Sequence, residues 1–157
     1  MNKMEREKEK SLTANAYAWR MKHPDWISDH FYMGEFEYSA LAVEKGWDNK
    51  PTAYAQVAIR NLVKNLLEPL RRQSGLSMYI TSGYRCPELN LLVGGVQDSQ
   101  HMTGEAADIY TGGDAGLLEV LVESHLNFDK AIFYRNKKIL HLSLKVKGKN
   151  RRQIIIV

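Results

Sequence analysis

The sequence predicts an α+β domain with a mainly antiparallel sheet and helices packed on one side. Helical periodicity dominates the first half of the chain, whereas the last 28 residues hold three short apolar segments. The polar bridge Arg135-Asn136-Lys137-Lys138 makes the first two of those segments a hairpin. A length of 157 residues, with 44% hydrophobic and 25% charged residues, suits one soluble domain with a sizeable core.

The elements follow in order. Residues 1–30 read as an N-terminal extension, and residues 31–157 as the main domain. Within the extension, Leu12 to Met21 fits a short helix that His23-Pro24 ends. Tyr17, Trp19 and Trp26 suggest that it docks on something, and His23 and His30 suit surface or capping roles. Phe31 to Gly46 predicts a short helix with Ser39 or Glu37 near its start and Gly46 as its cap. The strongest helix starts at Pro51, with Tyr54, Ala58, Leu62, Leu66 and Leu70 recurring every four residues, flanked by Val57, Val63 and Leu67. Pro69 falls near its end, and Gly75 stops it.

Met78 to Thr81 predicts a strand, Pro87 to Leu92 a short helix, and Ala106 to Tyr110 a second strand. Asp114 is expected to cap a helix reaching about His125, with Leu117, Leu118, Leu121 and Val122 on one side. His125 in its last turn would suit the helix dipole. The remaining strands are expected at Lys130–Tyr134, Ile139–Leu144 and Gln153–Val157.

Several function classes fall away on composition. No apolar run approaches the roughly 18 residues that span a bilayer. No apolar stretch follows the charged start, so the expectation is a cytoplasmic protein as encoded. The single cysteine, Cys86, allows neither an intrachain disulfide nor a cysteine zinc site, and a structural thiol is the better reading of it. Net charge is +4, with Lys145, Lys147, Lys149, Arg151 and Arg152 crowded near the C-terminus. Such a run can meet an anionic polymer or simply form a solvated edge. It lacks aromatic interleaving and any recognised reader motif, which argues against nucleic acid.

The chemistry concentrates between Ser82 and Ile109. Arg85 leaves the end of an apolar strand, paired glycines follow, and His101 and Asp108 stand seven residues apart. Later, His141 interrupts the apolar strand Ile139–Leu144. With a period of two, Leu140, Leu142 and Leu144 take the core side, while His141 and Ser143 line an open face. Two histidines and a carboxylate can hold a catalytic zinc with a fourth position for water. A lone histidine on a strand more often serves structure, so spacing alone leaves both readings open.

A run of motifs narrows the choice. Ser82-Gly83-Tyr84-Arg85, Asn90 with Val93-Gly94-Gly95, Ser99-Gln100-His101, Gly104-Glu105-Ala106-Ala107-Asp108, Phe128-Asp129 and His141-Leu142-Ser143 occur in this order. From about Phe31 to Arg152 the chain resembles the zinc D-Ala-D-Ala carboxypeptidase-like peptidases, which share the hedgehog/DD-peptidase fold. The resemblance implies His101, Asp108 and His141 as zinc ligands and Arg85 as a residue near the substrate. Ser99 would hydrogen-bond the substrate or groups behind the ligands. The implied activity is hydrolysis of peptidoglycan stem peptides, by carboxypeptidase or related endopeptidase action. Wall-cleaving enzymes without a signal peptide occur in phage lysis modules, so the resemblance allows export or phage-type release.

One position departs from the family pattern. A glutamate shortly before the last histidine usually serves as general base, and its place is held here by Tyr134. Glu105 and Asp129 are the candidate substitutes, and Tyr134 itself could act as acid or electrostatic donor. The alternative to an enzyme is therefore a zinc-containing wall-peptide-binding module with weak or no catalysis.

Overall fold

The computed structural model describes residues 25–157. The expected helix at Leu12–Met21, together with Tyr17, Trp19 and His23, lies outside the described residues.

Five strands form one sheet: β1 (Tyr79–Ser82), β2 (Ala106–Tyr110), β3 (Lys130–Tyr134), β4 (Ile139–Ser143) and β5 (Gln153–Ile156), in the order β1-β2-β4-β3-β5. Every pairing is antiparallel except β3 with β5. The fold is thus α+β with a mixed, mostly antiparallel sheet. In register, Ile80, Ile109, Leu140 and Phe133 form one cross-strand row, and Ala107, Leu142 and Ala131 another. All seven are buried in one core with the helical side chains Ile59, Leu62, Leu66, Leu70 and Leu121. The opposite sheet face, one residue out of phase, is left to carry polar groups.

Phe31 to Gly46 forms two short helices, Met33–Glu37 and Ala40–Lys45. Ser39 caps the second by accepting from the Ala42 N–H, and Gly46 ends it at φ +69°. The main helix runs from Ala53 to Ser74 behind a Thr52 cap, but not as one regular α-helix. Val63–Leu67 is a π turn between Ala53–Leu62 and Glu68–Ser74. Pro69 has no N–H to donate and its ring crowds the preceding turn, and a widened turn just upstream accommodates it.

The structure departs from several of these expectations. Tyr54 and Val57 are 47% and 60% exposed rather than part of the buried stripe. A spacing of four drifts by about 40° per step on a 3.6-residue helix, so Tyr54 has rotated off the face that Leu66 buries. The helix expected from Asp114 to His125 spans only Gly116–Glu123. Asp114 accepts from the Gly116 N–H at 2.6 Å in a turn before the helix, and His125 lies beyond its end, away from any last-turn dipole role. Val122 is half exposed, unlike Leu117, Leu118 and Leu121.

Residues 25–30 are tied to the main helix. His30 Nδ1 lies 2.8 Å from Glu68, and Asp25 and Asp29 pair with Arg60 and Arg72. Trp26 packs its ring against Tyr32. Among the described residues, no helix is long and apolar enough to cross a membrane.

Candidate metal centre and substrate cleft

The polar face of the sheet positions the site. Asp108 on β2, His141 on β4 and Ile132 on β3 are cross-strand partners, so their side chains share one row. His141 Nδ1 lies 2.9 Å from Asp108 Oδ1. His101 arrives from the loop before β2, and its Nε2 lies 3.4 Å from the same oxygen. Its Nδ1 is 2.7 Å from the Gly83 carbonyl. A carbonyl only accepts, so Nδ1 carries a proton, and Nε2 is the ring nitrogen that faces Asp108. One ligand atom from each of the three residues falls within 4.8 Å of the others.

This set fits a metal. Tetrahedral ligands about 2.1 Å from zinc lie roughly 3.4 Å from each other, against 2.9 and 3.4 Å from Asp108 Oδ1 to the two imidazoles. Two imidazole nitrogens and one carboxylate favour zinc over calcium, which prefers oxygen shells. The Gly83 carbonyl fixes the His101 tautomer, the usual support behind a ligating imidazole. Burial by itself would raise the Asp108 pKa, but the two histidines and their hydrogen bonds hold it well below the ordinary carboxylate range. Asp108 is therefore ionised, as a ligand must be.

Arg85 stands beside this cluster, its Nη2 3.6 Å from Asp108 Oδ2. Its fork is braced by side chains: Nε reaches Ser82 Oγ at 3.4 Å and Nη1 reaches Asn90 Oδ1 at 3.3 Å. Burial draws its pKa down, while Asp108 and Tyr134 push it up. Gly95 makes the brace sterically feasible, because a Cβ there would collide with Asn90 Oδ1 and come within 3.0 Å of Arg85 Nη1. Gly83 has a similar reason, since its Cβ would lie 2.5 Å from Phe36 Cα. Tyr84 N–H donates to the Phe36 carbonyl there, which docks the loop on the Met33–Glu37 helix.

The other candidates are placed as follows. Ser99 is buried, and its Oγ accepts from the His101 N–H at 3.3 Å, supporting the loop that carries His101 from behind. Ser143 is fully buried and accepts from the Lys130 N–H, so it does not line the open face expected from its alternation with His141. Tyr134 lies on the cleft face of β3, paired with Ile139, and Lys137 Nζ sits 5.1 Å from its ring centroid. Glu105 accepts from the Thr103 hydroxyl at 2.6 Å and from the Val146 N–H at 2.9 Å. Asp129 is wholly buried and accepts from the Arg151 side chain and backbone and from Gln100. Both carboxylates are spent on holding loops. Cys86 is buried, and burial raises its thiol pKa, in keeping with a structural role.

Some contributors escape sequence reasoning. Asn49 is buried and clamps the turn around Arg85, donating to the Glu37 and Tyr84 carbonyls and accepting from the Cys86 N–H at 2.7 Å. No motif marks it. An irregularity in β1 pairs Ile80 with Ile109 but Ser82 with Asp108, so Thr81 is the extra residue of a bulge. That extra residue is what brings Ser82 level with Asp108. The exposed Tyr54 reappears on the wall of the cleft, whose volume is about 870 Å³.

A family model described as Peptidase M15 matches residues 29–143, most of the chain. No curated protein matches the sequence.

Proposed function

Since the chain belongs to the peptidase M15 family, we propose that it hydrolyses peptidoglycan stem peptides with zinc held by His101, Asp108 and His141, as a D-Ala-D-Ala carboxypeptidase or a related wall endopeptidase. One observation carries the reading. His101 Nε2, Asp108 Oδ1 and His141 Nδ1 converge in a cleft of about 870 Å³, next to a braced arginine.

Bound there, zinc would polarise the scissile carbonyl and lower the pKa of a water toward about 7. The protein's own groups do the rest. Arg85 offers a planar fork to a peptide carboxylate or carbonyl, and its brace lowers the entropy cost of holding it. Ser99 fixes the His101 backbone, so that the imidazole stays aimed. Tyr134 can donate its phenol proton to a developing oxyanion, which is a donor's role and not the base's role of a carboxylate.

A second reading keeps the metal and drops turnover, leaving a wall-peptide-binding module. The observation favouring it is that Tyr134 stands where the family has its glutamate, while Glu105 and Asp129 are engaged elsewhere. General-base catalysis typically contributes about 10² to 10⁴ in rate. Incubating the zinc-loaded protein with defined muropeptides and weighing the products by mass spectrometry separates the two. Loss of a terminal residue or an internal cut supports the enzyme, and peptide bound but intact supports the module. Neither cleavage nor binding refutes both.

A further inference from the structure

The cleft beside the metal cluster carries more cations than carboxylates. Arg85, Lys130, Lys137, Lys145, Lys147 and Arg151 line it, against the carboxylates of Asp98, Glu105 and Asp108. Most of the negative charge nearby is already committed. Asp108 faces two histidines and Arg85, and Glu105 holds Thr103 and Val146. Behind the wall, Asp129 is shared between Arg151, at 2.8 Å, and Lys145, at 3.6 Å. Lys130, Lys137 and Lys147 have no salt bridge among the described residues. A cleft with an excess of one sign of charge concentrates ligands of the other.

The position of these cations has a scale. Lys130 is two residues before Ile132, the cross-strand partner of His141, so both point to the cleft face. Two residues along a strand is about 7 Å, and an extended peptide advances about 3.3 Å per residue. Lys130 pairs with Ser143, and Lys145 and Lys147 continue past that end of β4. A substrate group meeting Lys130 therefore lies about two residues from one level with His141. The clamp on Asp129 holds this wall still, because Arg151 donates to it through both its side chain and its backbone N–H.

We infer that Lys130 and Lys147, on the wall that Lys145 and Arg151 hold in place through Asp129, form a subsite for a second substrate carboxylate, distinct from any group held by Arg85, about two residues from the scissile amide. The inference rests on the peptidase reading and adds the substrate class: peptides with an anionic side chain or branch near the cut. A polynucleotide is the competing ligand for such charge. The wall instead sits inside a cleft beside the metal residues, with Tyr134 and Tyr54 the cleft's aromatics and neither within the basic run.

The test uses two peptides that differ only in a side-chain carboxylate against its carboxamide, two residues from the scissile amide. Each is titrated calorimetrically into the zinc-loaded native protein and into Lys130→Gln/Lys147→Gln, which leaves the Asp129 clamp intact. One exposed ion pair changes affinity by up to about fivefold. The carboxylate peptide should therefore bind the native protein about tenfold more tightly than the amide, and the double variant should erase that preference. If the variant does not fold, the native preference should shrink at about 0.5 M salt, where screening shortens the reach of exposed charges. Equal binding of the two peptides overturns the subsite, and cleavage of both would leave the peptidase reading standing. Retention of a single-stranded oligonucleotide in preference to either peptide overturns the subsite in favour of nucleic acid. Binding of no ligand overturns it together with the peptide reading.

Discussion

Replacing Asp129 by Asn tests whether this buried carboxylate anchors the fold or serves the chemistry. Asp129 is fully buried and accepts from Arg151 Nε at 3.0 Å, Arg151 Nη2 at 2.8 Å, the Arg151 N–H at 3.1 Å and Gln100 Nε2 at 3.2 Å. The amide keeps the shape but removes the charge and turns a donor toward other donors. Breaking a buried pair costs about 3–5 kcal/mol when a charge is stranded. Here the Arg151 and Lys145 side chains are 50% and 33% exposed and can rehydrate, so the lower end, about 3 kcal/mol, is expected. For a chain of this size that is a drop of roughly 6–12 °C in Tm, readable by calorimetry. The pH dependence has a definite sign. The Asp129 pKa is held well below its ordinary value, mainly by the Arg151 side-chain hydrogen bonds, against the opposing effect of burial. Its stabilisation is therefore complete above the ordinary carboxylate range and is lost as pH falls below it. Asp129→Asn should lose most of that acid sensitivity. A variant that melts with the native protein but has lost peptide hydrolysis would refute the anchor and make Asp129 a base.

Four further outcomes are expected. Protein purified without added metal should carry near one zinc per chain, and His141→Ala should lose it by elemental analysis; full occupancy in that variant would exclude the site. At zinc concentrations about 100 times the dissociation constant, removing the metal should cost about 2.7 kcal/mol of stability, seen as a fall in Tm. Arg85→Lys keeps the charge but not the fork, so peptide affinity or turnover should fall with little change in melting; an equal loss of stability would make Arg85 a structural strut. Tyr134→Glu should raise stem-peptide hydrolysis by up to roughly 10²-fold if its carboxylate reaches the attacking water, whereas a slower variant would point to a base already in place.

Much of this protein was legible in its sequence because the relevant physics is local. The period of two in Ile139–Leu144 placed Leu140 and Leu142 in the core and turned His141 the other way, and the polar run Arg135–Lys138 made the hairpin. Pro51, Gly46 and Gly75 marked helix ends through their own backbone preferences. The motifs around Arg85, His101 and Asp108 made a metal site the leading candidate, and the register of β2 against β4 set Asp108 opposite His141. What local pattern could not decide depends on contacts distant in sequence. Tyr54 reads as core on a helical wheel, yet drift along the main helix turns it to the cleft. Ser143 alternates with His141, but the Lys130 N–H across the hairpin buries and occupies its hydroxyl. Asn49 carries no signal, because its value lies in three backbone partners, two of them more than thirty residues away. Glu105 and Asp129 are equal candidates for a base on paper. Only tertiary structure commits them, because a carboxylate's availability is set by the donors that the fold brings to it, and here those donors come from Val146, Arg151 and Gln100.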